Sequence, residues 1–226
     1  MSTYSKGLEG VIAAETNMSF IDGQAGVLEY VGIPIGDLSA NSSFEETVFL
    51  LWNTRLPTQI ELDQFKAELR GSYQPPAQVM ANITRLPKDA QPMHVLRTQI
   101  SELALYDPDP NANDVHSVQK KAIKVLGAAP ALVAAFDRHR RGLDPIKPDT
   151  SLSFAENFLY MLNGERATET MARAFDICMI LHADHGLNNS TFTARCIIST
   201  LSDVYSALTG AIGSLRGPLH GGANEG

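Results

Sequence analysis

The spacing of hydrophobic and polar positions changes near residue 34, and this change divides the chain into two parts. Before it, residues 17–21 and 27–30 have the character of short extended arms, and residues 11–16 are a further extended candidate. The arms flank Asp22-Gly-Gln-Ala-Gly26, whose glycines permit the positive φ angles of a tight reversal. The first part therefore predicts a small N-terminal β-hairpin or meander.

From residue 34 onward, apolar positions recur at helical spacing. Residues 43–46 (Ser-Phe-Glu-Glu) and 58–61 (Thr-Gln-Ile-Glu) have the pattern of capping boxes that begin helices, the first before an apolar run at 47–52 and the second before a helix over 60–69. Further helices are predicted at residues 77–85, 93–105, 115–127, 131–141, 153–162, 168–183, 190–199 and 204–215. The fold class is therefore mainly α, a multi-helix domain with a small β element at its N-terminus.

Composition and charge narrow the classes of partner and compartment. The 226 residues suffice for one substantial domain, and the net charge of −7 argues against nucleic acid or an anionic membrane as the main partner. No apolar segment approaches the ~20 residues that span a bilayer, and the first ten residues lack a signal-peptide pattern. We therefore expect a cytoplasmic protein in which Cys178 and Cys196, both in apolar stretches, are buried free thiols.

Two histidines follow an apolar helical run. His182 shares one helical face with Phe175, Cys178 and Met179, so we expect it to point into the interior. His185 lies near the helix end, among Asp184, Asn188 and Asn189. Burying such groups unpaired costs about 1–3 kcal/mol each, so the cluster indicates a functional purpose. His-Ala-Asp-His could also be a metal site, but it lacks the His-Glu-x-x-His form and an evident third ligand, and we expect no metal.

A further histidine, His220, follows the small-residue helix at 204–215. Gly217-Pro218 ends that helix, and Gly221 and Gly222 leave the backbone around His220 free of side chains. A histidine flanked in this way is accessible to a substrate, or it is a solvent-exposed turn residue. The pattern alone leaves both interpretations open.

The two histidine segments together resemble a known family. Residues 217–225 (Gly-Pro-Leu-His-Gly-Gly-Ala-Asn-Glu) resemble the first-catalytic-histidine motif of citrate synthases, and residues 181–195 resemble the oxaloacetate-site segment of that family. Similar segments occur in order at residues 7–11, 21–24, 28–35, 42–46, 56–58 and 157–161. One departure is Asn189, where the family pattern leads us to expect a small residue such as alanine. The chain is thus identified as a member of the citrate synthase family.

The resemblance implies an architecture and a reaction. Residues 1–226 would form the N-terminal part of the α-helical large domain of a two-domain enzyme. The small domain, a second catalytic histidine, a catalytic aspartate and most of the coenzyme A site would lie outside this chain. The enzyme would be a homodimer that condenses acetyl-CoA, its co-substrate, with oxaloacetate at the entry of the tricarboxylic acid cycle, without a bound cofactor.

The resemblance also assigns roles to individual residues. His220 would be the catalytic donor that stabilises the developing enol oxygen while the absent aspartate removes the methyl proton. His185 would hydrogen-bond oxaloacetate, with Asn188 supporting the same pocket. Ser190 would orient His220, and His182 would keep a structural role at the helix end.

Three alternatives remain at this point. A 2-methylcitrate synthase would use propionyl-CoA with the same residues, and one methylene is worth only ~1–3 kcal/mol of discrimination in a hydrophobic pocket. A chain that ends at residue 226 would be an inactive helical scaffold or dimerisation fragment. A histidine-based metalloenzyme would need a bound metal.

Overall fold

The computed structural model describes residues 10–224, with side chains as far as residue 222. Three antiparallel strands come first: β1 (Ser19–Asp22), β2 (Val27–Tyr30) and β3 (Ile33–Pro34), ordered β1-β2-β3. The predicted meander is therefore confirmed. Residues 11–16, the further extended candidate, form no strand within the described part, because β1 pairs only with β2 there.

The turn between β1 and β2 follows the chemistry expected of its sequence. The Asp22 carboxylate accepts hydrogen bonds from the backbone N–H groups of Gln24 and Ala25, each at 2.9 Å. Gly26 has a φ of +68°, a conformation that favours glycine. The register then pairs Asp22 with Val27.

Ten α-helices, joined by turns and loops, follow the sheet within residues 10–224. They are α1 (Ile35–Asn41), α2 (Phe44–Asn53), α3 (Gln59–Gly71), α4 (Ala77–Ile83), α5 (Pro92–Leu103), α6 (Val115–Arg140), α7 (Phe154–Asn163), α8 (Glu169–Leu181), α9 (Asn189–Ile198) and α10 (Val204–Leu215). Short 3-10 turns lie at Ala104–Tyr106 and Gly221–Asn224. The mainly α fold class is confirmed, whereas the short α1 was not predicted as a separate helix. None of these helices is long and apolar enough to cross a membrane.

Capping side chains fix several helix starts. Thr58 forms a complete capping box with Glu61 at the start of α3, as the sequence predicts. At α2 only half of the predicted box forms. Ser43 accepts from the backbone N–H of Glu46, but the Glu46 carboxylate accepts from the Ser42 hydroxyl at 2.7 Å. The helix still begins where the pattern places it, because one side-chain cap satisfies an otherwise unpaired N–H group.

Helix α6 is the main difference from the sequence-based prediction. Residues 115–127 and 131–141 were expected to form two helices, yet one helix of 26 residues runs through Pro130. Proline interrupts the helical hydrogen bonds locally, and the packing of buried residues on both sides outweighs that loss. Gly127, interpreted as a helix end, instead lies where α3 ends against α6. A Cβ at Gly127 would come within 2.8 Å of the Ser72 Cβ.

Helix α6 runs between the hydrophobic cores of the domain. The first core gathers residues of the sheet and of α1, α2, α3, α6, α7 and α8, including Tyr30, Leu50, Phe65, Leu69, Ile123, Phe154 and Ile180. The second joins α4, α5, α6 and α10 through Val79, Ile83, Ile100, Leu132, Phe136 and Tyr205. A small third cluster joins α6 and α7.

A polar contact anchors α8 within the first core. Asp176 is only 9% exposed, and its carboxylate accepts from the backbone N–H of Phe44 at 3.0 Å and from the Arg173 guanidinium at 2.8 Å. The start of α2 and the middle of α8 are thereby held together. This contact fixes the helix that leads into the His182–His185 segment.

Candidate active site

Helices α9 and α10 pack antiparallel and bring two distant segments together. Asn189, at the start of α9, accepts a hydrogen bond from the Ser214 hydroxyl, near the end of α10, at 2.5 Å. Near the end of α9, Ile197 lies so close to Gly210, in the middle of α10, that a Cβ added to Gly210 would clash with the Ile197 side chain. The start of α9 therefore lies beside the loop that follows α10.

That loop turns tightly and carries His220. The carbonyl of Gly217 accepts from the backbone N–H groups of His220 at 2.9 Å and of Gly222 at 3.2 Å. A Cβ at Gly221 would lie 2.7 Å from the carbonyl oxygen of Leu215. The glycines predicted to leave space around His220 thus also allow the loop to fold back on the end of α10.

The His220 side chain meets the start of α9 through a serine. His220 Nε2 lies 3.0 Å from Ser190 Oγ, and Ser190 Oγ donates to Asn188 Oδ1 at 2.7 Å. Asn188 is the N-cap of α9, and the same Oδ1 accepts from the backbone N–H of Thr191 at 2.9 Å. Three predicted site residues, Asn188, Ser190 and His220, are therefore joined by hydrogen bonds, although His220 lies 30 residues after Ser190 in the chain.

The other two predicted residues form a second group. His182 is the C-cap of α8, and its Nδ1 lies 2.7 Å from the carbonyl oxygen of Cys178. The rings of His182 and His185 have centroids 5.9 Å apart and are tilted by 32°. Both histidines are exposed in the chain by itself. The roles predicted for them, a structural one at the helix end and a contact to oxaloacetate, stay predictions.

The expectation that His182 points into the interior is wrong. The buried face of α8 consists of Ala172, Asp176 and Ile180, so it is offset from the face that includes Cys178. The helix also ends at Leu181, and His182 has a non-helical ψ of 4°. Cys178 is exposed for the same geometric reason.

The second thiol expected to be buried, Cys196, is also exposed. It lies in α9, a helix that has no fully buried residue within the described chain. The apolar stretch around it therefore does not pack into the cores of this chain.

The β-sheet positions the His182–His185 segment, a link that the sequence does not indicate. The hydroxyl of Tyr30, in β2, lies 3.1 Å from the carbonyl oxygen of Asp184 and accepts from its N–H at 3.2 Å. The Asp184 carboxylate accepts in turn from the N–H of Gly186 at 2.8 Å, where φ is +62°. Burial raises the pKa of the Tyr30 hydroxyl above its ordinary value, and the Asp184 carboxylate also raises it.

Two further contacts hold the site and were missed by sequence reasoning. Asn189 was singled out as unusual, but its partner Ser214 was not foreseen. Arg216 donates from Nε to Gln91 Oε1 at 2.6 Å and so ties the His220 loop to the start of α5. Among residues 10–224, no group of three or more His, Cys, Asp or Glu side chains is arranged to hold a metal ion.

The sequence matches a family described as "Citrate synthase, C-terminal domain" over residues 7–226. It is 48% identical over 223 residues to a citrate synthase of Haloferax volcanii, covering 97% of this chain and 59% of that relative. It is 46% identical over 220 residues to a 2-methylcitrate synthase of Mycobacterium tuberculosis, covering 97% of this chain and 56% of that relative. The chain thus spans less than two thirds of the relatives it matches.

Solved structures agree with the sequence comparison. Citrate synthase from Pyrobaculum aerophilum superposes with a TM-score of 0.92 at 36% identity, over 97% of this chain and 57% of that one. Citrate synthase from Thermoplasma acidophilum, in a ternary complex with carboxymethyl coenzyme A and oxaloacetate, gives a TM-score of 0.92 at 32% identity, over 99% of this chain and 58% of that one. With a family match along nearly all of its length and the same helical arrangement, this chain belongs to the citrate synthase family.

Proposed function

We propose that the complete protein condenses acetyl-CoA with oxaloacetate and hydrolyses the thioester, releasing citrate and coenzyme A. The observation that carries the proposal is the hydrogen bond between His220 and Ser190. This bond holds the His220 ring by its Nε2 atom in a glycine-rich loop, and Nδ1 is left to contact a substrate. Two of the relatives above support the substrates, one by its name and one by the ligands in its complex.

Enolisation of acetyl-CoA requires a hydrogen-bond donor to the enol oxygen and a base that removes the methyl proton. The acetyl methyl group is a very weak acid, so removing its proton requires stabilisation of the developing enol oxygen. His220 would be that donor. The aspartate base and a second histidine lie outside this chain, according to the family resemblance. His185 and Asn188 would bind oxaloacetate, while Ser190 orients His220 and His182 holds the helix end.

The test separates the roles of the two histidines in the complete protein. His220→Ala should lower kcat by about 10²–10³-fold, the usual effect of losing one such donor, while oxaloacetate affinity stays near wild type. His185→Ala should weaken oxaloacetate binding. Thiol release measures turnover and calorimetry measures affinity.

A variant of the exposed His116, which lies at the start of α6 far along the chain from both segments, serves as the matched control. His116→Ala should leave both readouts unchanged. Equal loss of oxaloacetate affinity in His220→Ala and His185→Ala would overturn the division of roles, and wild-type turnover in His220→Ala would overturn the proposal itself.

A second candidate function is 2-methylcitrate synthesis from propionyl-CoA. It is favoured by relatives of that name at 46% identity, close to the 48% of the citrate synthase relative. A steady-state comparison of the two acyl-CoA substrates on the complete enzyme distinguishes the candidates. A much higher kcat/KM for propionyl-CoA would replace the first proposal by the second.

The isolated chain of residues 1–226 should be inactive, because the proposed base lies elsewhere. Measurable thiol release by this chain above background would contradict that expectation.

We further propose a homodimer, supported by the exposed apolar surface of α9 and its surroundings, where Phe192 is 37% and Leu201 83% exposed. Sedimentation of the complete protein tests the dimer, and cell fractionation tests the cytoplasmic location.

A further inference from the structure

The contact between Ser190 and His220 joins two elements that are distant along the chain. Ser190 lies in the first turn of α9, and His220 lies in the loop after α10, with its Nε2 atom 3.0 Å from Ser190 Oγ. The contact persists only while the start of α9 stays beside the end of α10. Whatever fixes the spacing of these two helix ends therefore also positions the His220 side chain.

One hydrogen bond fixes that spacing directly. The Ser214 hydroxyl donates to Asn189 Oδ1 at 2.5 Å. Asn189 immediately precedes Ser190 in the chain, and Ser214 lies in the last turn of α10, just before the His220 loop. The family pattern leads us to expect a small residue such as alanine at position 189, and an alanine side chain could not accept this bond. The link thus depends on a residue at which this chain departs from the pattern.

Ser214 also shapes the start of the loop that carries His220. Its carbonyl oxygen accepts from the N–H of Gly217 at 2.9 Å, and the Gly217 carbonyl accepts from the N–H of His220 at 2.9 Å. With the two side-chain contacts, these bonds form a closed ring, which runs from Asn189 through Ser214, Gly217 and His220 to Ser190. No member of a closed ring can move away without stretching the bonds of its neighbours.

We propose that Asn189 is a positioning residue, which keeps Ser190 against His220 by binding Ser214. In this role Asn189 touches no substrate and acts only through its neighbours. Its contribution is that of one neutral hydrogen bond, which corresponds to about two- to tenfold in the equilibrium between the closed ring and an open loop. The consequence for catalysis deepens the proposed function and rests on it, because only a catalytic His220 must be held in place for turnover.

Residue-resolved hydrogen exchange measures the ring without any substrate. The amide of His220 is protected by its bond to Gly217, so its exchange rate follows the population of the open loop. In the complete protein, Asn189→Ala and Ser214→Ala should each raise this rate about two- to tenfold. The double variant should rise no further than the single variants, because both remove the same bond. Ser214→Thr keeps the hydroxyl and should exchange as the wild type does.

Ile197→Val is the matched control for a general loss of packing between α9 and α10. Ile197 lies against Gly210, near the end of α9 and away from the ring. Removing one methylene from a packed isoleucine costs about as much stability as losing one neutral hydrogen bond. This variant should therefore weaken the same helix pair by a similar amount, yet leave the exchange of the His220 amide unchanged.

Turnover of the complete protein gives the second readout. Asn189→Ala should lower kcat by up to the factor seen in exchange, while KM for oxaloacetate stays near wild type. The two parameters separate because the ring holds His220, whereas the contact to oxaloacetate is assigned to His185. A protein that turned over neither acyl-CoA would refute the proposed function, and the exchange rates would still test the ring.

Three results would overturn the role of Asn189. The first is a wild-type exchange rate of the His220 amide in Asn189→Ala. The second is an equal rise of that rate in Ile197→Val, which would show that any loosening of the helix pair opens the loop. The third is a wild-type kcat in Asn189→Ala, with or without a raised KM for oxaloacetate, since the substitution would then not act through His220.

Discussion

Tyr30→Phe tests whether the β-sheet holds the segment that carries His185. Tyr30 is fully buried, and its hydroxyl contacts both the N–H and the carbonyl oxygen of Asp184. The variant keeps the ring but leaves these two partly buried backbone groups without that partner. Losing one buried hydrogen-bonding group costs about 1–3 kcal/mol, so we expect the free energy of unfolding to fall by about 2 kcal/mol.

Urea unfolding followed by far-ultraviolet circular dichroism measures the change. For a chain of this size, a loss of about 2 kcal/mol corresponds to a Tm lower by roughly 4–8 °C. Tyr160→Phe is the matched control, because the Tyr160 hydroxyl makes no hydrogen bond to any other residue in the range 10–224. If both variants lost the same stability, the cost would come from the ring environment and the proposed tie to Asp184 would be refuted.

The pH dependence supplies a second readout of the same contact. Burial raises the pKa of the Tyr30 hydroxyl, so the unfolded chain ionises first, near pH 10. The contribution of this group is complete below about pH 10 and is lost as pH rises through the folded-state pKa. The stability difference between wild type and Tyr30→Phe should therefore shrink above about pH 10. A difference that stayed constant there would contradict the burial argument.

Four other substitutions, two of them combined in one double-mutant cycle, have outcomes that follow from the packing. Gly127→Ala places a methyl group 2.8–2.9 Å from atoms of Ser72. It should lower the free energy of unfolding by about 1–3 kcal/mol in urea titrations. An unchanged midpoint would show that the end of α3 shifts to accommodate the methyl group at no cost. A double-mutant cycle of Asn189→Ala and Ser214→Ala should give a coupling energy of about 0.5–1.5 kcal/mol, and additive losses would show that the hydrogen bond contributes nothing. Asp176→Ala leaves the first N–H of α2 unpaired and should cost about 2 kcal/mol by the same titration, so a neutral result would contradict its anchoring role.

The sequence predicted those features of the fold that depend on local chemistry. The bounds of α10 and the capping box at Thr58 follow from residues within one helical turn of each other. The continuity of α6 could not be predicted in that way. Proline at 130 and glycine at 127 are helix breakers by their local preference, and the helix passes through both because its flanking residues are buried against other helices.

The candidate site shows the same limit. The motif around His220 and the segment around His185 were identified by resemblance, but the contact of His220 with Ser190 depends on the antiparallel packing of α9 on α10. The interior position expected for His182 was wrong for two reasons. Helical periodicity does not say which face of a helix meets the core, and it did not show that α8 ends at Leu181, one residue before His182. Tyr30, 154 residues from Asp184 along the chain, left no local signal of its role.

The uninterrupted α6 has a consequence for how the molecule opens. The helix supplies Ile123 to the first core, Leu132 to the second, and Ala131 and Ala134 to the third. If one core loosens, α6 loses packing contacts that also hold it in the other two cores. Partial unfolding of one core is therefore opposed by the packing of the other two. We therefore expect the amides in the middle of α6 to exchange with deuterium only through global unfolding, and a ligand at the His220 loop to slow exchange in helices that it does not touch.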